Sequence, residues 1–338
     1  MHRRGRGFAL VELLLVLLVL GALIVVGMRM FHKKAASPAV PQVRTQTLKG
    51  VSLSPRSFSA ADFNAFLDEA AKSGSVVTWA GNWTQLQNPG SAPFTVAKLA
   101  KARGYQPILI IGANDQASGN LDSSAKQAFI TAVRAFAADY KPAYLGLGNE
   151  VNRLRAKSPA GYAEFTGWFG DAAAAIKQAS PATKVFTTFQ YEQLNGLNGG
   201  LFGGQNDPAA NQWQLVSDFP AADLIAFTTY PYIIYHDPSE IPADYYARAS
   251  QHITKPLAFT EIGWPSQGEA AGYESTPAIQ TAFIGRFAEL ARSAQAQFVV
   301  WPFLYDQALP VPFVGLGLID ASNNPKPALA IWQSTKFE

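Results

Sequence analysis

LGLGNEVN at residues 145–152 and AFTEIGWPS at residues 258–266 are two of eight short apolar runs in this chain, and their reading decides its fold. Each run is apolar up to a glutamate, Glu150 or Glu261, and turns polar or loop-like after it. The other runs start near Gly50 (GVSLS), Val76 (VVTWA), Pro107 (PILIIGA), Lys184 (KVFTTFQ), Asp223 (DLIAFTTY) and Gln297 (QFVVWPF), and the two quoted first sit in runs starting near Ala143 and Leu257. Runs so nearly continuous in apolar residues suit strands of a parallel sheet covered on both faces. Between most of them lie segments with apolar residues recurring at three and four positions, the helical period, as at Phe129, Val133 and Phe136. These segments cover residues 60–73, 123–140, 159–178, 242–253 and 276–294. Eight strands alternating with helices predict a (β/α)8 TIM barrel over residues 48–338, its last unit ending in the short segment 327–332.

Such barrels carry their chemistry at the C-terminal ends of the strands. Glu150 closes the fourth run and Glu261 the seventh. Taken alone, either glutamate reads as a solvated loop residue or a helix N-terminal charge. Two carboxylates at matching strand ends are what glycoside hydrolysis needs, one to protonate the leaving oxygen and one to attack or to activate water.

The Asn149-Glu150 pair on strand four and the late Glu261 on strand seven resemble the clan of retaining glycoside hydrolases built on this barrel. Within the clan, TEIGWPS at 260–266 and TTYPY at 228–232 most resemble family 17, the β-1,3-glucanases, and next family 53, the β-1,4-galactanases. The resemblance covers roughly residues 48–338. It implies that Glu261 is the nucleophile and Glu150 the acid and then base, with carboxyl groups about 5–5.5 Å apart. It also implies a resting proton on Glu150, its pKa raised by burial and by the charge of Glu261. Asn149 would hold the sugar 2-hydroxyl, or else satisfy loop amides. The Tyr230 hydroxyl would hold Glu261, or else pack in the barrel wall. Trp301 would floor the subsite of the reacting sugar.

Sugar rings pack their C–H faces on aromatic faces. Trp79 and Trp83 after the second run, Trp264 after the seventh and Trp301 on the eighth are therefore candidate substrate contacts, with core packing as the alternative. Gln190, Tyr191, Tyr232 and Tyr235 are plausible loop contacts. Asn114 and Asp115 meet substrate or cap the following helix. The glycine-rich stretch 196–205 reads as a flexible loop, part of a long connection that could wall the cleft.

Other chemistries fall away. The chain has no cysteine, which excludes thiolate catalysis and disulfides. Its four histidines, His2, His32, His236 and His252, show no metal-ligand spacing, and no cofactor is expected. The formal net charge of +3 belongs to the N-terminus, where Arg3, Arg4, Arg6, Arg29, Lys33 and Lys34 face one acid, Glu12. Nucleic acid is therefore not an expected partner.

The N-terminus is a second signal. Residues 1–7 form a basic leader. Residues 8–28, FALVELLLVLLVLGALIVVGM, are long and apolar enough to span a bilayer as one helix. Residues 29–47 then read as a linker containing Pro38 and Pro41. The expected protein is a single-pass membrane protein with the barrel on the extracytoplasmic side, a cleaved secretory signal being the alternative. RGFALVEL also resembles the processing signal of type IV pilins, with Gly7, Phe8 and Glu12 in place, although the prolines break the helix earlier than in a pilin. The functional expectation is a retaining hydrolase of a β-linked polysaccharide or oligosaccharide. The alternatives are a non-catalytic carbohydrate-binding barrel and a pilus- or secretion-associated surface protein.

Overall fold

The computed structural model describes residues 46–113, 121–268 and 270–337. The leader, the apolar stretch 8–28, the pilin-like signal, most of the linker, and Asn114 and Asp115 lie outside the described residues. Among the described residues no helix is long and apolar enough to cross a membrane.

Eight parallel strands close into a barrel in chain order: β1 (Leu48–Ser52), β2 (Val76–Asn82), β3 (Gln106–Gly112), β4 (Tyr144–Leu147), β5 (Lys184–Gln190), β6 (Leu224–Thr229), β7 (Leu257–Ile262) and β8 (Phe298–Trp301). Pairing of Leu48 with Phe298 and of Val51 with Trp301 seals β1 to β8. The helices are α1 (Ala60–Ser73), α2 (Ala92–Arg103), α3 (Lys126–Tyr140), α4 (Val151–Lys157), α5 (Pro159–Ala179), α6 (Tyr191–Leu194), α7 (Pro277–Ala291) and α8 (Pro327–Ser334). The expected barrel is thus observed.

The core has two layers because side chains alternate along a strand. Val76, Ile108, Ile110, Tyr144, Phe186, Leu224, Ala226, Ala258, Phe298 and Val300 fill the barrel interior. The outward positions pack under the helices, as with Phe63, Phe66 and Leu67 of α1 and Phe129, Val133 and Phe136 of α3. Lys49 reaches from β1 to the carbonyls of Trp332 (2.5 Å), Gln333 (3.1 Å) and Thr335 (2.8 Å) and so caps the end of α8. Burial pushes that ammonium down to about 8.

Three elements differ from the sequence reading. Residues 242–253 form turns and a 3-10 segment (Ala247–Gln251), not an α-helix. Tyr245 and Tyr246 are both buried, and adjacent residues cannot share one helical face, so the chain departs from the regular helix to bury both. Helix α2 went unrecognised because its buried stripe, Pro93, Val96, Ala97 and Ala100, is made mostly of small, weakly apolar residues. Strand β4 ends at Leu147, three residues before Glu150, so the glutamate sits on the turn that enters α4.

Candidate active site

That turn is built from left-handed backbone. Gly148 has φ 79° and Glu150 has φ 50°. A Cβ on Gly148 would lie 2.7 Å from the Phe165 ring and from Val151, so only glycine fits there. A non-glycine residue held in this region costs on the order of 1 kcal/mol or more, and such strain gathers at functional sites. Thr188 on β5 fixes the turn: its hydroxyl accepts from the Glu150 amide at 2.7 Å and donates to Asn149 Oδ1 at 2.7 Å.

Glu261 reaches the barrel mouth through a bulge. Phe227 pairs with Phe259 while the next residue, Thr228, pairs with Glu261, which leaves Thr260 as an extra residue on β7. Strict alternation would turn Glu261 outward with Leu257 and Phe259. The extra residue instead sets it beside Thr228, whose hydroxyl donates to Glu150 Oε1 at 2.7 Å. Both glutamates therefore flank Thr228 at the end of β6, and the charge of Glu150 acts on Glu261.

Their surroundings differ. Glu150 Oε2 accepts from Arg153 Nη1 at 2.7 Å, and its side chain is 17% exposed. Glu261 Oε2 accepts from the Tyr230 hydroxyl at 2.5 Å. Burial, then the charge of Glu150, pushes the Glu261 carboxyl up to about 7, while the Tyr230 bond pulls the other way. The Tyr230 hydroxyl is in turn raised, by burial first and then by Glu261.

This carries a stability consequence. The Glu261 pKa lies above its unfolded value of 4.5, so the folded state binds the proton more tightly. The stabilising proton is fully present in both states below 4.5, and stability is lost as pH rises through about 7. Glu261→Gln removes that loss. It is expected to stabilise the fold by about 2–3 kcal/mol at pH 8 relative to its effect at pH 4.5, read by thermal denaturation at the two pH values. An equal effect at both would show that Glu261 ionises without penalty.

Of the other predicted site residues, Asn149 and Tyr230 stand beside the carboxyl pair. The tryptophans do not. Phe298 and Val300 point into the barrel, so Trp301 points out; it is 0% exposed, packs on Phe283 and Trp332, and donates Nε1 to the Leu316 carbonyl at 2.8 Å. Trp79 likewise alternates outward, Trp83 meets Phe129 edge-on, and Trp264 is buried against Tyr232 and Phe283. All four are core residues with no free face for a sugar. Gln190 and Tyr191 are buried structural groups as well: Gln190 Oε1 caps the Gln193 amide, and the Tyr191 hydroxyl donates to the Tyr245 carbonyl.

Sequence reasoning missed the supports. Thr188 and Thr228 are inward polar residues within apolar runs, a signal present in TTFQ and TTYPY. Arg153 lies one helical turn past Glu150. Glu192 on α6 is completely buried, and burial raises its pKa. It accepts from Thr229 Oγ1 (2.6 Å), the Tyr245 hydroxyl (3.0 Å), the Tyr230 amide (3.2 Å) and Gln190 Nε2. Four donors offset the loss of water around this carboxyl, and one of them fixes the backbone of the tyrosine that holds Glu261.

A pocket opens beside this arrangement between the loops after β5, β6, β7 and β8. Leu201, Tyr232, Pro265, Gln267, Tyr273, Val311 and Pro312 line it, and neither carboxylate does. Leu201, from the glycine-rich stretch, lines this pocket. Tyr232 meets Tyr230 edge-on at 6.0 Å, which joins the pocket to the carboxyl pair.

No family model and no curated protein matches the sequence. Solved structures do. A family 39 glycoside hydrolase from the gut symbiont Bacteroides cellulosilyticus WH2 superposes with a TM-score of 0.59 at 15% identity, over 84% of this chain and 62% of that one. The GH53 catalytic domain of Ignisphaera aggregans gives 0.60 at 14% identity, over 87% of this chain and 97% of that one. An exo-β-1,4-mannosidase from Opitutaceae bacterium strain TAV5 gives 0.56 at 16%, over 85% and 58%. The chain spans less than two thirds of the first and third of these. At such identities the likeness is one of fold, and the fold of the described residues is the (β/α)8 barrel those proteins share.

Proposed function

We propose that the protein is a retaining glycoside hydrolase that cleaves a β-linked polysaccharide or oligosaccharide by double displacement, with β-1,3-glucan the first substrate to try and β-galactan the second. The observation that carries this reading is the placing of Glu150, on the turn after β4, and Glu261, near the end of β7, on either side of Thr228. The glycosidase names of the structural neighbours agree with it.

In this mechanism Tyr230 occupies Glu261 Oε2, so Oε1 is the oxygen free to attack the anomeric carbon. Glu150 gives its proton to the departing oxygen and then takes one from the incoming water. Thr188 engages Asn149 Oδ1, which leaves the Asn149 amide nitrogen to donate to the sugar 2-hydroxyl. The apolar stretch 8–28 would anchor the barrel to the extracytoplasmic face of a membrane. Recovery of the native protein only in the medium, with that stretch removed, would count against the anchor.

The test of function is hydrolysis of a panel of β-linked polysaccharides by the full-length protein, with the first product observed by NMR before mutarotation. Release of the β-anomer is expected. Release of the α-anomer would rule out a retaining enzyme. Binding without cleavage of any polysaccharide or aryl glycoside would make the barrel a carbohydrate-binding module.

A further inference from the structure

Each oxygen of Glu150 accepts one hydrogen bond. Oε1 accepts from the hydroxyl of Thr228, a fully buried residue of β6, and Oε2 accepts from Arg153. In the role proposed for Glu150, one oxygen must carry the proton that goes to the leaving group. Thr228 is locked in the barrel wall, so that oxygen is Oε2. Arg153 sits on it from the first turn of α4, with its side chain 44% exposed. A guanidinium held against Oε2 favours the ionised carboxylate and so opposes the proton that Glu150 has to carry.

We propose that Arg153 is a positioning residue that clamps Glu150 Oε2 in the free protein and has to swing off before Glu150 takes up the proton it delivers. This rests on the hydrolase reading of the carboxyl pair. The sugar on the leaving-group side occupies the space beside Oε2 and displaces the guanidinium. The proton then leaves Glu261 and arrives on Glu150 Oε2, so the pair keeps one proton and Glu261 becomes the free carboxylate that attacks.

Among the described residues, Arg153 faces Glu150 from its own helix, Glu261 from β7 and the Tyr230 hydroxyl from the end of β6. Thr188 and Thr228 face it from β5 and β6 and do not titrate. Arg153 is thus the one cation in the set. The raised Glu261 carboxyl fits the same picture, since below about 7 it holds the proton in the free protein. An i,i+3 ion pair at a surface contributes little to stability. Here its consequence falls on which carboxyl carries the proton.

The experiment is a carboxyl-carbon NMR titration of full-length protein labelled at glutamate, with the Glu150 signal assigned by Glu150→Gln. Arg153→Met is expected to raise the Glu150 titration midpoint by about 0.5–1 pH unit, a nearby opposite charge discounted for exposure. Arg153→Lys should hold the midpoint near that of the parent, because the charge remains. The alkaline limb of kcat/KM should move with the midpoint in the methionine variant. An unchanged midpoint in Arg153→Met overturns the clamp, and Arg153→Gln repeats the test if the methionine variant does not fold. The titration needs no turnover. A shifted midpoint in a protein that cleaves no glycoside keeps the clamp and removes the hydrolase reading; cleavage with an unshifted midpoint does the reverse.

Discussion

Under the proposed mechanism, Glu261→Ala is expected to lose polysaccharide hydrolysis by on the order of a hundredfold or more, because the covalent route disappears with the nucleophile. The loss should persist with an activated aryl β-glycoside, since a better leaving group does not supply an attacking group. Truncation leaves a cavity where the carboxyl stood, beside the Tyr230 hydroxyl that donated to it. Azide fits that kind of space and attacks from the face Glu261 used. The product should be the α-glycosyl azide, with inverted configuration, formed in one displacement. A β-azide from this variant would mean that the attacking face belongs to another residue.

Glu150→Ala should fail differently. Hydrolysis of a polysaccharide should again fall by on the order of a hundredfold or more, because the leaving oxygen departs without a proton. An aryl leaving group needs none, so the first step should survive, Glu261 should become glycosylated, and the enzyme should stall for want of a base. A burst of aryl alcohol followed by a slow steady state is the kinetic sign. Azide needs no general base, so it should relieve the stall and give the β-azide with retained configuration. The proposed mechanism thus gives opposite anomers from the two variants, because in it the carboxyl groups act from opposite sides of the scissile bond. Identical azide anomers from both variants would sink the assignment of roles.

Part of this site was legible in the chain. Tyr230 was placed beside Glu261 from its position at the end of the sixth run, and the hydroxyl is found there. Asn149 and Glu150 were placed at the mouth of the barrel, and they are there. The tryptophans were misplaced for one reason. A run such as FVVW does not announce which of its residues face the barrel axis, because in a strand covered on both faces the inward and outward positions are equally apolar. Trp301 could be set in the cleft or under α8, and only the pairing of β8 with β1 decides for α8. Glu192 was invisible for a related reason. A charged residue shortly after a strand reads as exposed, and its burial depends on donors from Thr229, Tyr230 and Tyr245, some forty to fifty residues further on.

Local pattern along the chain is enough to set the barrel. Eight apolar runs separated by helical periods admit few other arrangements, since each strand buries both faces only when helices cover the outside and its neighbours close the inside. It also determined that two glutamates follow the fourth and seventh runs. What the tertiary structure decided is where those glutamates point and what holds them. The bulge at Thr260 shifts the alternation of β7 by one residue and brings Glu261 in from the outer layer. The left-handed step at Gly148 and Glu150, pinned by Thr188, turns the other glutamate over the barrel end. Both devices depend on contacts between strands far apart in the chain. Local propensity acts over a few residues and carries no record of them.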